Sequence, residues 1–479
     1  MVMRFISSTC AAALAIALAT AGAVEAHAQD AQIKASGEPA LPEPEANPLK
    51  IDFSGDPVLA LAEATAEKDT FRKIVVAALD DSPVNRETLA LENAARARVG
   101  EARGAFLPTI DVGVSAFRTL ERSFGNDPFN LIERSRPRER IDFSFSIAQP
   151  LVDATSDGRV AAAADQLRAA GFEREARAGE AAGQMLSAWT QVFGYQALER
   201  LLEGFVSAQE GLEAGIDTRI ERGVSAEGDR VRVASLRSQA EVQLAQVRRQ
   251  RASAEARFEE LSGFEPPEGL LRPPMLDATR FTREYAIFAA QSAPRVEAAE
   301  AVAQAREHEA DSADGAKFPR VTARVDHGRY GVFEIGPVDY DTRATLDVSW
   351  RILGGGVWSR ARAARADALA ADAVADRIRD EARREAVIAW SDVQAIEQQV
   401  VALEEAYKSA RQSRDIVVAR FGALRGTLFD VADAQNAYLT AASSYIRALT
   451  ELDQARFILL LRTGRLLDVL EIDNNEVPQ

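Results

Sequence analysis

The chain has one cysteine and three histidines in 479 residues. The cysteine, Cys10, lies in an N-terminal stretch with the three parts of a secretory signal. These are Arg4 near the start, an apolar run from Ala11 to Ala19, and the small-residue site Ala26-His27-Ala28. Cleavage after Ala28 would leave a mature chain without cysteine, which excludes disulfides and thiolate metal sites and makes the chain indifferent to an oxidising compartment. Cys10 precedes the apolar run, whereas a lipidation cysteine follows one, so no lipid anchor is expected. Arg4 and Glu25 leave together, and the net charge stays at −16. That excess of acid argues against nucleic acid as a partner and gives no general attraction to anionic headgroups.

Long apolar runs are missing too. No mature segment has the ~18 to 20 uncharged apolar residues that a spanning helix needs, so residence in a membrane would have to do without helices. Catalytic signatures are equally scarce. There is no Gly-x-Ser-x-Gly elbow, no Gly-Lys-Ser/Thr phosphate loop and no metal-spaced histidine pair. His27 leaves with the signal, His308 sits in an acidic helix, and His327 stands near a strand end. Gly354-Gly355-Gly356 lacks dinucleotide spacing and reads as a strand-to-helix turn. Neither enzymatic activity, a cofactor nor a bound metal is expected.

What the chain does have is a duplication. Pro83 and Pro108 recur as Pro294 and Pro319, an offset of 211, each pair bracketing a helical stretch. Further on, Ala188-Trp189 matches Ala389-Trp390, Asp229 matches Asp430, and Leu261-Ser262-Gly263 matches Arg462-Thr463-Gly464, all at an offset of 201. The change of offset falls between the strands, so the first loop, FGNDPFNLIERSRP, is the longer by ten. Each copy reads as short helices, strand, loop, strand, a very long helix, a turn and a returning helix. The long helices are expected at about Gly158 to Arg222 and Gly356 to Arg420, each spanning roughly 100 Å. Their apolar seams are narrow and close to heptad spacing: Leu198, Leu201, Phe205, Ala208 and Leu212 in one, Ile396, Val400, Leu403 and Tyr407 in the other.

Strands are expected at about 109–118, 139–149, 320–329 and 342–352, where apolar and polar side chains alternate. Ile141, Phe143, Phe145 and Ile147 oppose Asp142, Ser144 and Ser146; Ile110, Val112 and Val114 oppose Asp111, Gly113 and Ser115. Each is about as long as a tilted strand crossing a bilayer. A small soluble sheet packed on helices would also fit the pattern. Two arguments favour lipid: the helices are already occupied with one another, and the signal sends the chain to an envelope. Open sheet edges are not tolerated in hydrocarbon, and four strands cannot close a barrel. Several copies must therefore pool their strands, with Asp111, Asp142 and Asp347 facing a wet lumen.

These pieces, taken in order, resemble the TolC-like outer-membrane efflux protein family. FLPTI resembles its helix-to-strand entry and AQPLVDATSDGRV its strand-to-helix exit. RGVSAEGDRVRVASLRSQ and RFGALRGTLFDVADAQNAYLTA resemble its two helix-helix turns. The resemblance implies a mainly α protein with a small membrane β part. Duplicated long α-helical hairpins would form a periplasmic tunnel, and four strands per chain would contribute to a trimeric 12-stranded β-barrel. It implies residence in the outer membrane of a Gram-negative bacterium, with outer-membrane lipid around the barrel, and docking to a periplasmic adaptor and an inner-membrane ABC or RND transporter. It also implies a passive exit duct for type I protein secretion or small-molecule efflux. Asp430 and Asp433 match its gate carboxylates, which form a cation-selective constriction. Arg222, Gly223, Val224, Ser225 and Asp229, with Leu424, Arg425, Gly426 and Thr427, match its adaptor-docking turns. The family's gate arginine would fall at Gly426, and Leu424 stands where the first copy has Gly223, so the two turns are expected to differ in shape. Thr427-x-x-Asp430 also fits a helix capping box.

The organisation expected is a signal peptide at 1–28, a flexible Pro/acid-rich tail at 29–56, a first repeat at 57–263, a linker at 264–279, a second repeat at 280–470 and a tail at 471–479. The alternative is a soluble periplasmic helical-hairpin adaptor or scaffold without a pore.

Overall fold

The computed structural model describes residues 41–45, 47–122, 129, 138–276, 281–332, 339–352, 354–423 and 425–472. The expected signal peptide, residues 29–40, nearly all of the first strand loop, Leu424 and residues 473–479 lie outside them. Among the described residues, α1 (Pro57–Ala60), α2 (Lys68–Asp81) and α3 (Pro83–Gly104) lead into β1 (Thr109–Arg118) and β2 (Glu139–Val152). Then follow α4 (Ala154–Glu221), α5 (Glu227–Ser262), α6 (Arg283–Gln291) and α7 (Pro294–Gly315). The chain continues through β3 (Arg320–Tyr330), β4 (Asp339–Ser349), α8 (Val357–Gly422), α9 (Leu428–Arg462) and α10 (Leu466–Val469). No described helix is long and apolar enough to cross a membrane.

The duplication is visible element by element. Helices α3 and α7 both start on a proline, whose fixed φ suits the first helical position. Gly263 and Gly464, with φ of 77° and 69°, follow the ends of α5 and α9, a backbone state that costs glycine nothing.

The chain divides into two compact units, and each draws on both repeats: residues 1–85, 178–290 and 383–479 form one, 86–177 and 291–382 the other. In the first, Trp189 is fully buried, edge-on to Phe71 at 4.9 Å between ring centroids, with Phe258 at 6.1 Å. Its indole N–H donates to the Leu271 carbonyl at 2.9 Å, and Trp390, its repeat partner, donates to the Phe281 carbonyl at 2.8 Å. The two tryptophans thus hold the chain on either side of the repeat junction. Leu270 and Leu276 are buried there, and Arg272 makes two 2.7 Å bonds to the Asp453 carboxylate.

The α4 seam departs from strict heptad spacing. Leu198, Leu201, Phe205 and Ile216 are buried, but Ala208 is exposed and Gln209 takes its place, donating to Gln435 at 2.8 Å. A straight helix drifts against a 3.5 repeat, so over several turns the buried stripe moves to the next residue.

The second unit packs on small side chains. Ala162, Ala163, Ala301, Ala305, Ala361 and Ala368 are buried. At Gly158 an added Cβ would fall 2.6 Å from the Ser312 backbone nitrogen, and at Gly315 2.2 Å from the Ala154 carbonyl oxygen. Helices α4 and α7 therefore touch backbone to backbone, which no larger residue would allow.

This unit also holds the sheet, antiparallel in the order β1-β2-β3-β4. The first three strands fall where alternation places them. The fourth runs three residues earlier than expected, because Ser349 pairs with Arg320, the first residue of β3, and beyond it no partner backbone remains. At the other end the ladder continues to Asp339 opposite Tyr330. Pro150, which has no N–H to give, coincides with a break in register between Pro150 and Val152.

Candidate functional site

Cross-strand register sorts the sheet into two faces. One carries Ile110, Val112 and Val114 of β1, Phe143, Phe145 and Ile147 of β2, Val321 and Val325 of β3, and Leu346 and Val348 of β4. Ile110, Val112, Val114, Leu346 and Val348 are each more than 60% exposed, although each is apolar. The opposite face carries Asp111, Asp142 and Asp347, as alternation predicts, with Asp326 and Arg343 between them. Asp142 is held by Arg140 at 2.7 Å, and the Arg140 guanidinium lies 5.3 Å from the Phe117 ring and 5.0 Å from that of Tyr330. Both outer edges, β1 and β4, lack a strand partner among the described residues.

The helical turns are built alike. Val224 donates to the Arg219 carbonyl at 2.9 Å, and Arg425 to the Arg420 carbonyl at 2.9 Å, the same closing bond in each copy. The expected difference in shape is absent from that bond; Leu424 itself is not described. Gly223 has φ of 72° and Gly426 of 120°, so both turns use glycine where a side chain would be strained. Arg222 and Val224 are exposed, while Arg219 reaches across, its guanidinium 4.3 Å from the Phe421 ring and bonded to the Phe421 carbonyl at 3.2 Å. Ser225 Oγ accepts from Arg219 at 3.3 Å. Beneath the turns, Ile216, Val233 and Leu428 form a small buried cluster that ties the two hairpins together.

Asp430 caps α9. Its carboxylate accepts from the Thr427 backbone N–H and hydroxyl, both at 2.9 Å, and Thr427 Oγ1 accepts from the Asp430 N–H at 3.3 Å. Those two bonds from Thr427, backbone first, hold the Asp430 carboxyl below the usual range. Asp229 does half of this in the first copy, accepting from the Ala226 N–H at 3.3 Å, since alanine has no hydroxyl to return. Asp433 is exposed. Its repeat counterpart is Arg232, whose guanidinium stacks 3.6 Å from the centroid of the Phe429 ring.

Residues 288–465 match the family model of the outer membrane efflux proteins. That stretch covers most of the second repeat and is similar to the family. Of the segments that resemble the family, the match includes the second helix-helix turn, and the family is one of channels, not enzymes. No curated protein matches the chain. Solved structures share the fold, among them the following three. A membrane protein from Pseudomonas aeruginosa is 21% identical with a TM-score of 0.72, over 84% of this chain and 91% of that one. The outer membrane protein VceC of Vibrio cholerae is 16% identical with a TM-score of 0.72, over 83% and 96%. The CmeC outer membrane channel of Campylobacter jejuni is 14% identical with a TM-score of 0.71, over 90% and 94%.

One cluster in this fold had no signal in the sequence. Asp56, Arg411, Arg414 and Asp415 are all buried. Asp56 caps α1 through Val58 N at 2.8 Å, accepts from the Tyr407 hydroxyl at 2.8 Å, and is ion-paired with Arg411. Arg414 bonds Asp415 at 2.5 Å and the Pro42 carbonyl at 3.0 Å, and Glu45 N donates to Asp415 at 3.3 Å. Burial pushes the Asp415 carboxyl up even though Arg414 pulls it down, and pushes the Tyr438 phenol up to about 12. Within the stretch expected to be a flexible tail, Pro42, Glu45, Pro48 and Asp56 are therefore bonded to α8. Their backbone carbonyls and amides satisfy buried charges that would otherwise lack partners. At the other terminus, Ile472 is likewise buried and Lys68 pairs with Glu471 at 2.6 Å.

Proposed function

We propose that this chain is an outer-membrane exit duct. Three copies pool their strands into a 12-stranded barrel in the outer membrane of a Gram-negative bacterium, and the paired hairpins continue as a periplasmic tunnel. The observation that carries the reading is the sheet itself, with one exposed apolar face and two edges that lack a strand partner among the described residues. Water disfavours that face and hydrocarbon forbids those edges, so strands from sibling copies around a wet lumen satisfy both conditions. The family-model match of residues 288–465 and the fold shared with outer-membrane channels support it. The soluble adaptor reading would leave Ile110, Val112, Val114, Leu346 and Val348 facing water.

The aspartates of the polar face, Asp111, Asp142 and Asp347, line the lumen in this reading. The hairpin turns, with Arg222, Gly223, Val224, Ser225 and Asp229 in one and Arg425, Gly426 and Thr427 in the other, are where a periplasmic adaptor docks. An inner-membrane transporter of the ABC or RND type supplies the energy, and the cargo is either a secreted protein or a small molecule. Asp430 and Asp433 lie three apart at the start of α9, hence on one helix face. In a trimer they make two rings of three carboxylates at the tunnel mouth, which favour cations. Asp430 serves at once as cap and as ring member.

The test is planar-bilayer conductance of the wild type and of an Asp430→Asn, Asp433→Asn double variant. Asparagine keeps the capping acceptor and removes the charge, so α9 stays anchored. Cation preference should fall toward that of an uncharged pore. An unchanged preference would remove the ring assignment, and a wild type that never conducts would remove the duct.

A further inference from the structure

The apolar face of the sheet is interrupted at one end. On β3, Val321, Ala323 and Val325 are followed on the same face by His327 and Arg329; on β4, Val348, Leu346 and Ala344 are followed by Thr342 and Tyr340. Register places Phe143, Arg329 and Tyr340 in one row across three strands, and Phe145, His327 and Thr342 in the next. Arg329 is exposed, and no ion pair or hydrogen bond ties it to another described residue. By contrast, Arg118 pairs with Glu139 at 3.1 Å, Arg140 with Asp142 at 2.7 Å and Arg343 with Asp341 at 2.5 Å. His327 Nδ1 lies 2.8 Å from Thr342 Oγ1, its ring 6.3 Å from that of Tyr340, which is itself 73% exposed.

An unpaired guanidinium on a face that meets lipid is costly in mid-bilayer and nearly free at the interface. The row sits at the end of β3 and β4 that leads into residues 331–338, opposite the end where α7 and α8 attach. If the helices are periplasmic, this end meets the outer leaflet, which in Gram-negative bacteria is built of phosphate-bearing glycolipid. Guanidinium matches phosphate with two parallel hydrogen bonds, and aromatic rings beside it suit the boundary between headgroup and acyl chain. The net charge of −16 gives the chain no general pull on anionic lipid, so such a contact requires a local cationic site.

We infer that Arg329, with His327 and the flanking rings of Phe143 and Tyr340, docks the phosphate of an outer-leaflet glycolipid. This rests on the reading that the apolar face of the sheet lies against lipid.

The test uses the full chain purified in detergent, stripped of lipid and titrated with a bisphosphorylated outer-membrane glycolipid, binding being read by native mass spectrometry. The Arg329→Ala, His327→Ala double variant should bind at least tenfold more weakly, Arg329→Lys should retain most of the affinity, and Arg343→Ala, on the opposite face, should bind as wild type. Dephosphorylated glycolipid should not bind, and millimolar inorganic phosphate should not displace the lipid. Equal binding by the double variant, equal loss in Arg343→Ala, binding of the dephosphorylated lipid, or displacement by free phosphate would each overturn the site. Bilayer conductance of the same preparations separates the two readings. A conducting double variant with undiminished glycolipid binding sinks this site alone, whereas a wild type that never conducts sinks the duct and this site with it.

Discussion

Asp56 joins two regions that nothing in their local sequence connects. It caps α1, takes the Tyr407 hydroxyl and pairs with Arg411 while having no exposed side-chain surface. A buried pair contributes little by forming, but removing one partner strands the other charge out of water. Asp56→Ala should therefore cost about 3 to 5 kcal/mol, read as a lowered chemical-denaturation midpoint. The same change should loosen residues 41–56, which would then be cleaved faster by added protease. An unaltered midpoint would mean that Arg411 finds water or another carboxylate. Asp430 is the opposite kind of residue, since Thr427 three positions before it announced the cap in the sequence. Asp433, three positions on, is exposed and has no part in that cap, so Asp433→Ala should leave the stability of α9 unchanged.

At the scale of elements, the strands were legible because alternation is a property of neighbours in sequence. All four fall within three residues of expectation at both ends, and the three-residue shift of β4 came from where β3 begins. The two faces make a testable contrast. Leu346→Arg puts a charge on the apolar face and should cost roughly 2 to 4 kcal/mol near mid-bilayer. It should sharply reduce the protein recovered from the outer-membrane fraction. Ser146→Arg, on the polar face between Asp111 and Asp326, should be recovered like wild type. Equal loss from both would mean that the apolar face does not lie in lipid. The long helices were legible for a similar reason, but their seam was not read correctly throughout. Heptad spacing put Ala208 inside, and the drift of a straight helix put Gln209 there instead.

For the whole molecule, the edges of β1 and β4, without a strand partner among the described residues, set the assembly argument. Membrane barrels begin at about eight strands, which four per chain reach with two copies and exceed with three. The family resemblance selects three. The protein in detergent should therefore have the mass of three chains and keep it on dilution, because separation would expose two strand edges per chain. A stable single chain, soluble without detergent, would contradict the assembly. The compact units are a second matter of scale: each takes segments from both repeats, so neither repeat folds as a separate body. The sequence repeat marks a duplication in history, and the packing mixes its products.

From sequence alone came the doubled order of helices and strands, the alternation that defines two sheet faces, and the capping of α9. All of these depend on residues within a few positions of one another, where backbone geometry imposes a period. Tertiary structure alone decided that Asp56 meets Arg411, that the chain at the repeat junction is held by Trp189 and Trp390, that Pro42, Glu45 and Pro48 bond to α8, and that Arg329 has no ion-pair partner among the described residues. Those depend on which distant segments come together in space, and a buried charge or a strand register is fixed only by the partner it finds there.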